Sequence, residues 1–503
     1  MKKQIGKKQK ECGVLLAVTS LPSPYGVGTL GKAAFEFIDL LKETGQKYWQ
    51  MLPVNQTGFG DSPYACLSIY AGSEYLIDLD ILCEKGYLKK EELAPLRQNV
   101  NPEKVDYGAL YFSRKNILKK AFNRYFYNCL HSEKGISELE KFVAENEWVT
   151  PYVLFRALKR EYNGASWLNW SERDKKGERN IDEYDLYAVA EGVFLQKEFY
   201  EQYAALKVYA GEKGIKIIGD LPIYPALDSA EVWHERQFFD LDKKTFYPKR
   251  VAGVPPDYFS QDGQLWGNPV YDWKKLKKRG YSFWLKRIKG ALKLYDVLRL
   301  DHFRGYESFY SIPYGNTDGR TGEWQKGGDY NFIRVLNKNF DAGDFIAEDL
   351  GIITPAVEKL LKKSGYPGMK VLQFAFSFDK NNPYLPENHV YNSIVYTGTH
   401  DNDTLLGWVK SLDERTRRYV CEVLKISAKS GDIKITDSMI KAAMQSKSKL
   451  AIVPFQDYLR IDSGGRMNVP STSQGNWAWR IKNGVYSAAL KARMLGFSKL
   501  RGE

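Results

Sequence analysis

The 503-residue sequence predicts an α/β fold, a (β/α)8 TIM barrel carrying mostly helical insertions. Three observations lead there. Short apolar runs recur along the chain, several are apolar throughout rather than alternating, and helix-like text separates most of them. Runs apolar on both faces suit parallel strands covered by helices. Eight such strands alternating with helices close into a barrel.

The runs, in order, are GVLLAVT (13–19), YWQMLPV (48–54), IKIIGDLPIY (215–224), YDVLRLDHF (295–303), DFIAEDL (344–350), MKVLQFAF (369–376), NSIVYTGTHD (392–401) and LAIVPFQDY (450–458). After the first, KAAFEFIDLLKETG (32–45) carries Phe35, Ile38 and Leu41 at helical spacing and stops at Gly45. After the fifth, TPAVEKLLKKSG (354–365) opens on Thr354 as cap with Pro355 in the first turn, and stops at Gly365. The long gap between the second and third runs holds helical text at 110–130 and 184–210. It is expected to be a helical insertion subdomain, 80–205. No Pro/Gly/Ser-rich linker divides the chain, so residues 1–503 are read as one barrel domain.

Composition narrows the function. Hydrophobic residues make up 43% of the chain, enough for a large core. Aromatics reach 14%, with 12 Trp and 34 Tyr, a surplus that suits flat ligand faces as well as cores. The net charge of +13 is diffuse: KKQIGKKQK at the N-terminus, then scattered Lys pairs. That pattern reads as solvated helix faces and not as a nucleic-acid footprint. The cysteines, Cys12, Cys66, Cys83, Cys129 and Cys421, form no CxxC pair and are odd in number, so reduced thiols in the cytoplasm are expected. No apolar run approaches the ~20 residues of a membrane span.

In such a barrel the chemistry sits where strands end. Here the ends are charged. The third run ends in Asp220, the fourth in Arg299-x-Asp301-His302, the fifth in Glu348-Asp349 and the seventh in His400-Asp401-Asn402-Asp403. The second leads into GFGDSPY, with Asp61 and Tyr64. Any one of these acids could be a helix cap, and Asp349 is read as a cap or structural partner. Together they place a ring of carboxylates at one rim. Clustered carboxylates can hold hard cations. Arg299 and Arg304 beside Asp301 disfavour that use. An ionised carboxylate facing a protonated one is the arrangement that cleaves glycosidic bonds.

Longer motifs narrow the reading further. They are LPSPYGVGTLG (21–31), YWQMLPVNQTGFGDSPY (48–64), IGDLPIY (218–224), VAGVPPDYFSQDGQLWGNPVYDW (251–273), LRLDHFRGY (298–306), IAEDLG (346–351), YTGTHDNDT (396–404) and RMNVPSTSQGNWAWR (466–480). Through these the sequence resembles the 4-α-glucanotransferases, or amylomaltases, of the α-amylase clan, from about residue 12 to 500. The VAGVPPDYFS block is specific to that family; LDHFRG, AEDLG and THDN belong to the wider clan.

The resemblance implies roles. Asp301 would be the nucleophile, Glu348 the general acid/base and Asp401 the carboxylate that holds sugar hydroxyls. Arg299 would orient and ionise Asp301. His400 and His302 would bind substrate, Asp220 would support the site and Tyr64 would be a stacking platform. Residues 225–290 would form an insertion carrying a loop over the glucan groove, with Tyr258, Phe259, Trp266 and Asn268 on the acceptor side. The partners implied are α-1,4-glucan donors and glucose or maltooligosaccharide acceptors, with no metal, cofactor, nucleic acid or membrane. A monomer or weak homo-oligomer is expected. The chain departs from the family pattern at Ala17, Ala65-Cys66, Gly328-Asp329 and Ser471. None of these positions is one of the three carboxylates.

Overall fold

The computed structural model describes residues 10–502 apart from 59, 99, 131–132 and 257–260. Its strands are β1 (Glu11–Leu15), β2 (Tyr48–Gln50), β3 (Lys216–Leu221), β4 (Arg250–Val254), β5 (Gln264–Pro269) and β6 (Val297–Leu300). Then follow β7 (Ser308–Pro313), β8 (Glu323–Lys326), β9 (Phe345–Ala347), β10 (Gly368–Val371), β11 (Ser393–Tyr396) and β12 (Leu450–Pro454).

Eight of them close a barrel in the order β1-β12-β11-β10-β9-β6-β3-β2. Each pair inside it is parallel, including the closing pair β1–β12. The eight apolar runs of the sequence supply these eight strands, although each strand is shorter than its run. Most of what remains of the runs follows the strands as loops or short helical turns, and after β6, β9 and β11 charged side chains begin there.

The helix Lys32–Glu43 shows how the wall is covered. It buries Ala34, Phe37, Ile38 and Leu41, and Phe37 meets Trp49 of β2 edge-on at 4.9 Å. Phe35, expected on that face, turns outward instead and packs on Tyr209 at 5.0 Å. The helix is sandwiched, with the barrel on one side and the 27-residue helix Leu186–Glu212 on the other. Gly45 leaves it with φ +73. The helix Pro355–Ser364 is capped by Thr354, whose hydroxyl accepts the Val357 N–H, and Gly365 ends it at φ +78.

Between β2 and β3 lie the helices Tyr107–Leu130, Glu133–Glu145, Val149–Glu161 and Leu186–Glu212. Arg156 ties this region to the loop after β2, 2.9 Å from Glu74 and 3.3 Å from Glu191. A second sheet was not foreseen. It is antiparallel, in the order β5-β4-β7-β8, and draws strands from both sides of β6, so it extends past residue 290. Among the described residues no helix is long and apolar enough to cross a membrane.

Candidate active site

The site begins with strand register. The β3–β6 pairing sets Asp220 directly beside Arg299. Neighbours in register on parallel strands project to the same face, so the two meet, 2% and 4% exposed. Nη1 of Arg299 lies 2.6 and 2.8 Å from the Asp220 oxygens and 3.1 Å from Oδ1 of Asp301. The Tyr64 hydroxyl donates to Asp220 at 2.7 Å. One guanidinium nitrogen therefore serves two carboxylates, and its shorter contacts go to Asp220. Burial raises the Asp301 carboxyl above the usual aspartate range. Arg299 pulls it back down, Asp220 pushes it up, His400 lowers it and Asp401 raises it.

Glu348 follows β9 directly. The backbone N–H groups of His302 (2.7 Å) and Leu350 (3.2 Å) donate to its two carboxylate oxygens. Phe303 N–H also bonds the Glu348 carbonyl, stitching the end of β6 to the end of β9. Burial raises the Glu348 carboxyl to about 8; Arg299 opposes this, while Asp301 and Asp349 add to it. His302, which donates that bond, has a left-handed backbone, φ +48. Its imidazole is half-buried and held neutral, first by desolvation and then by the Arg304 charge, with a pKa of about 3. The edge of Trp266 meets that ring at 4.9 Å.

Asp401 comes from the loop after β11. Its Oδ1 accepts from Asn468 at 2.7 Å, its Oδ2 lies 3.4 Å from His400 Nε2, and its backbone carbonyl accepts from Arg466 at 2.7 Å. Tyr64 stacks on His400 with centroids 5.1 Å apart, and Trp477 leans on both rings at 5.7 and 5.9 Å. The site thus has an ionic floor of Asp220 and Arg299, three carboxyls above it, and an aromatic wall. Among the described residues no group of three or more His, Cys, Asp or Glu side chains is arranged to hold a metal ion.

A sequence profile described as 4-alpha-glucanotransferase matches residues 16–486. The chain belongs to the 4-alpha-glucanotransferase family. The 4-alpha-glucanotransferase of Clostridium butyricum is 41% identical over 493 residues, covering 96% of this chain and 99% of its own. That of Thermus thermophilus is 42% identical over 495 residues, 96% of this chain and 97% of its own. Among solved structures, the amylomaltase from Streptococcus agalactiae in complex with acarbose has a TM-score of 0.93 at 35% identity, covering 98% of this chain and all of that one. The amylomaltase from Corynebacterium glutamicum, at 18% identity and a TM-score of 0.80, shares the fold. Enzymatic 4-alpha-glucanotransferase activity, with its place in starch and maltooligosaccharide metabolism, follows for this chain.

Within this glucanotransferase the expected site residues fall into two groups. Asp301, Glu348, Asp401, Arg299, Asp220, Tyr64, His302, His400 and Trp266 are joined by the contacts above. Asn268 is tied elsewhere: its side-chain amide donates to the Pro225 carbonyl at 2.9 Å, pinning the end of β5 to the loop after β3. Tyr258 and Phe259 lie outside the described residues. Asp349 accepts the Met369 N–H at 2.6 Å, a structural bond to β10. Asn468, Arg466 and Trp477 were not singled out as site residues. All three stand in the RMNVPSTSQGNWAWR block, whose polar, apolar-poor text was the available signal.

Proposed function

We propose that this enzyme moves α-1,4-glucan segments between maltooligosaccharides or starch-like glucans by double displacement, with retention. Asp301 attacks the anomeric carbon of the donor while Glu348 gives its proton to the departing glycosidic oxygen. The carbon–oxygen bond of the donor breaks as a glucosyl–Asp301 ester forms. The 4-hydroxyl of an acceptor glucan then loses its proton to Glu348 and displaces Asp301. Asp401, steadied by Asn468 and His400, grips hydroxyls of the distorted sugar. Tyr64 offers it a stacking face. Trp266, edge-on to His302, together with Tyr258 and Phe259 from the sequence between β4 and β5, would grip the acceptor and limit water, favouring transfer over hydrolysis.

One observation carries this reading. Glu348, raised to about 8, holds a proton at neutral pH; burial raises Asp301 too, but of the two reacting carboxyls it is the one in contact with the Arg299 guanidinium, which favours its ionised form. That contrast supports an acid and a nucleophile in the respective roles. The donors are α-1,4-glucans and the acceptors glucose or maltooligosaccharides; the steps call on no metal or cofactor. We read the setting as cytoplasmic, in keeping with free thiols at Cys12, Cys66, Cys83 and Cys421, and the enzyme as a monomer or weak homo-oligomer.

Incubation with maltotriose tests the reading. Transfer yields glucose and a ladder of longer chains while the number of reducing ends stays constant. Reducing ends accumulating as fast as glycosidic bonds break would mark a hydrolase instead.

A further inference from the structure

Just outside the barrel mouth, the segment after β10 carries aromatic side chains outward. Phe374, in the 3-10 turn that follows β10, is 38% exposed, and Phe378 is 43% exposed. Phe376 between them is buried against Trp408, with centroids 5.6 Å apart. Four residues span at most ~14 Å of chain, so Phe378 stands near the rim and not on a remote face.

Phe378 stacks on Tyr419 with centroids 4.7 Å apart and planes at 27°. The Arg415 guanidinium lies over its ring at 4.5 Å. These residues, with Glu414, Arg418 and Glu422, line an open hollow of about 340 Å³. Glu414 and Arg418 pair one helical turn apart at the edge of the hollow. Phe378 also has φ +65. A bulky side chain there is strained relative to a glycine, and such strain persists where the surroundings enforce it.

A half-exposed pair of stacked rings bordered by charged donors and acceptors matches a pyranose, with its apolar C–H surface and rim of hydroxyls. We infer that the Phe378–Tyr419 hollow is a secondary glucan-binding site, which holds a distal stretch of a long α-glucan while another part of the same chain occupies the catalytic mouth. This rests on the glucan-transfer reading above. Its effect is one of effective concentration. A chain held at the hollow presents its other segments to the mouth at raised local concentration, and a trisaccharide is too short to gain from it.

The test compares amylose with maltotriose in wild type, Phe378→Gly and Tyr419→Ala. Phe378→Gly removes the ring and relieves the left-handed backbone, so it is expected to fold at least as stably. KM for amylose should rise about 5-fold or more in both variants, a stacking contact's worth. kcat/KM for maltotriose should stay within about 2-fold of wild type. Unchanged KM for amylose would overturn the inference. Equal losses on both substrates would also overturn it, because the rings would then serve the mouth or the fold. Absence of maltotriose transfer in the wild type would instead overturn the underlying reading, so the two failures are distinct.

Discussion

His302 adopts φ +48, a setting that a side-chain-bearing residue enters only at a cost. Its backbone N–H donates to Glu348 at 2.7 Å, so a strained residue sits directly against the proposed acid. On the opposite side Asn468 does the equivalent for Asp401. A hydrogen bond to a charged group contributes about 1.5–3 kcal/mol, so Asn468→Ala should lower kcat/KM by roughly 10- to 150-fold with little loss of melting temperature. Asp301→Asn should lower turnover by ~10³-fold or more while leaving glucan binding largely intact, as read by single-turnover kinetics and calorimetry. The departures from family pattern also have a physical reading at this scale. Ser471 and Asp329 both have left-handed backbones, φ +66 and φ +49, where the family's glycines would be unstrained. Ser471→Gly is expected to stabilise the fold by about 1 kcal/mol in denaturant unfolding. The three carboxylates were legible because each ends an apolar run. Asn468 and Trp477 were not, because it is the pairing of β12 with β11 that brings the following loop beside Asp401, and nothing in local spacing records that approach.

At the scale of elements, the register of β3 against β6 sets the floor of the site. It pairs Asp220 with Arg299 and so places one buried cation beneath the carboxyls. Asp220→Ala leaves that cation with Asp301 as its remaining close partner, and should cost about 3–5 kcal/mol of stability, checked by chemical denaturation. The barrel strands were readable because burial on both faces forces continuous apolar text. The small antiparallel sheet escaped for the opposite reason. Glu323–Lys326 is largely exposed, and Gln264–Pro269 is half-exposed along most of its length. Their composition carries no core signal, and pairing with Ser308–Pro313 and Arg250–Val254 is fixed by long-range contacts. On the helix Lys32–Glu43, Ile38 and Leu41 are buried as their spacing predicts, while Phe35 departs from that face because the helix Leu186–Glu212 offers it Tyr209 on the other side.

For the whole molecule, burial raises several carboxyls in the same direction. Glu348 is pushed up to about 8, Asp457 and Glu231 to about 7, and Asp349 to about 6. Between the ordinary carboxylate range and these values, the folded chain keeps protons that the unfolded chain has released. Stability therefore falls as pH rises through that interval, and Tm should be lower at pH 8 than at pH 5.5. Glu348→Gln removes one such group, so it should raise Tm more at pH 9 than at pH 5. In the wild type, activity should decline as pH rises through about 8, as Glu348 loses the proton it is proposed to deliver.

The most direct measurement uses the same Glu348→Gln variant with an α-maltotriosyl fluoride donor. Fluoride leaves without protonation, and the variant lacks the base that would activate an acceptor, so a glycosyl ester should accumulate. Peptide mass spectrometry is expected to find one maltotriosyl adduct on Asp301. An adduct on another residue, or fluoride release with no adduct and an inverted product, would contradict the account.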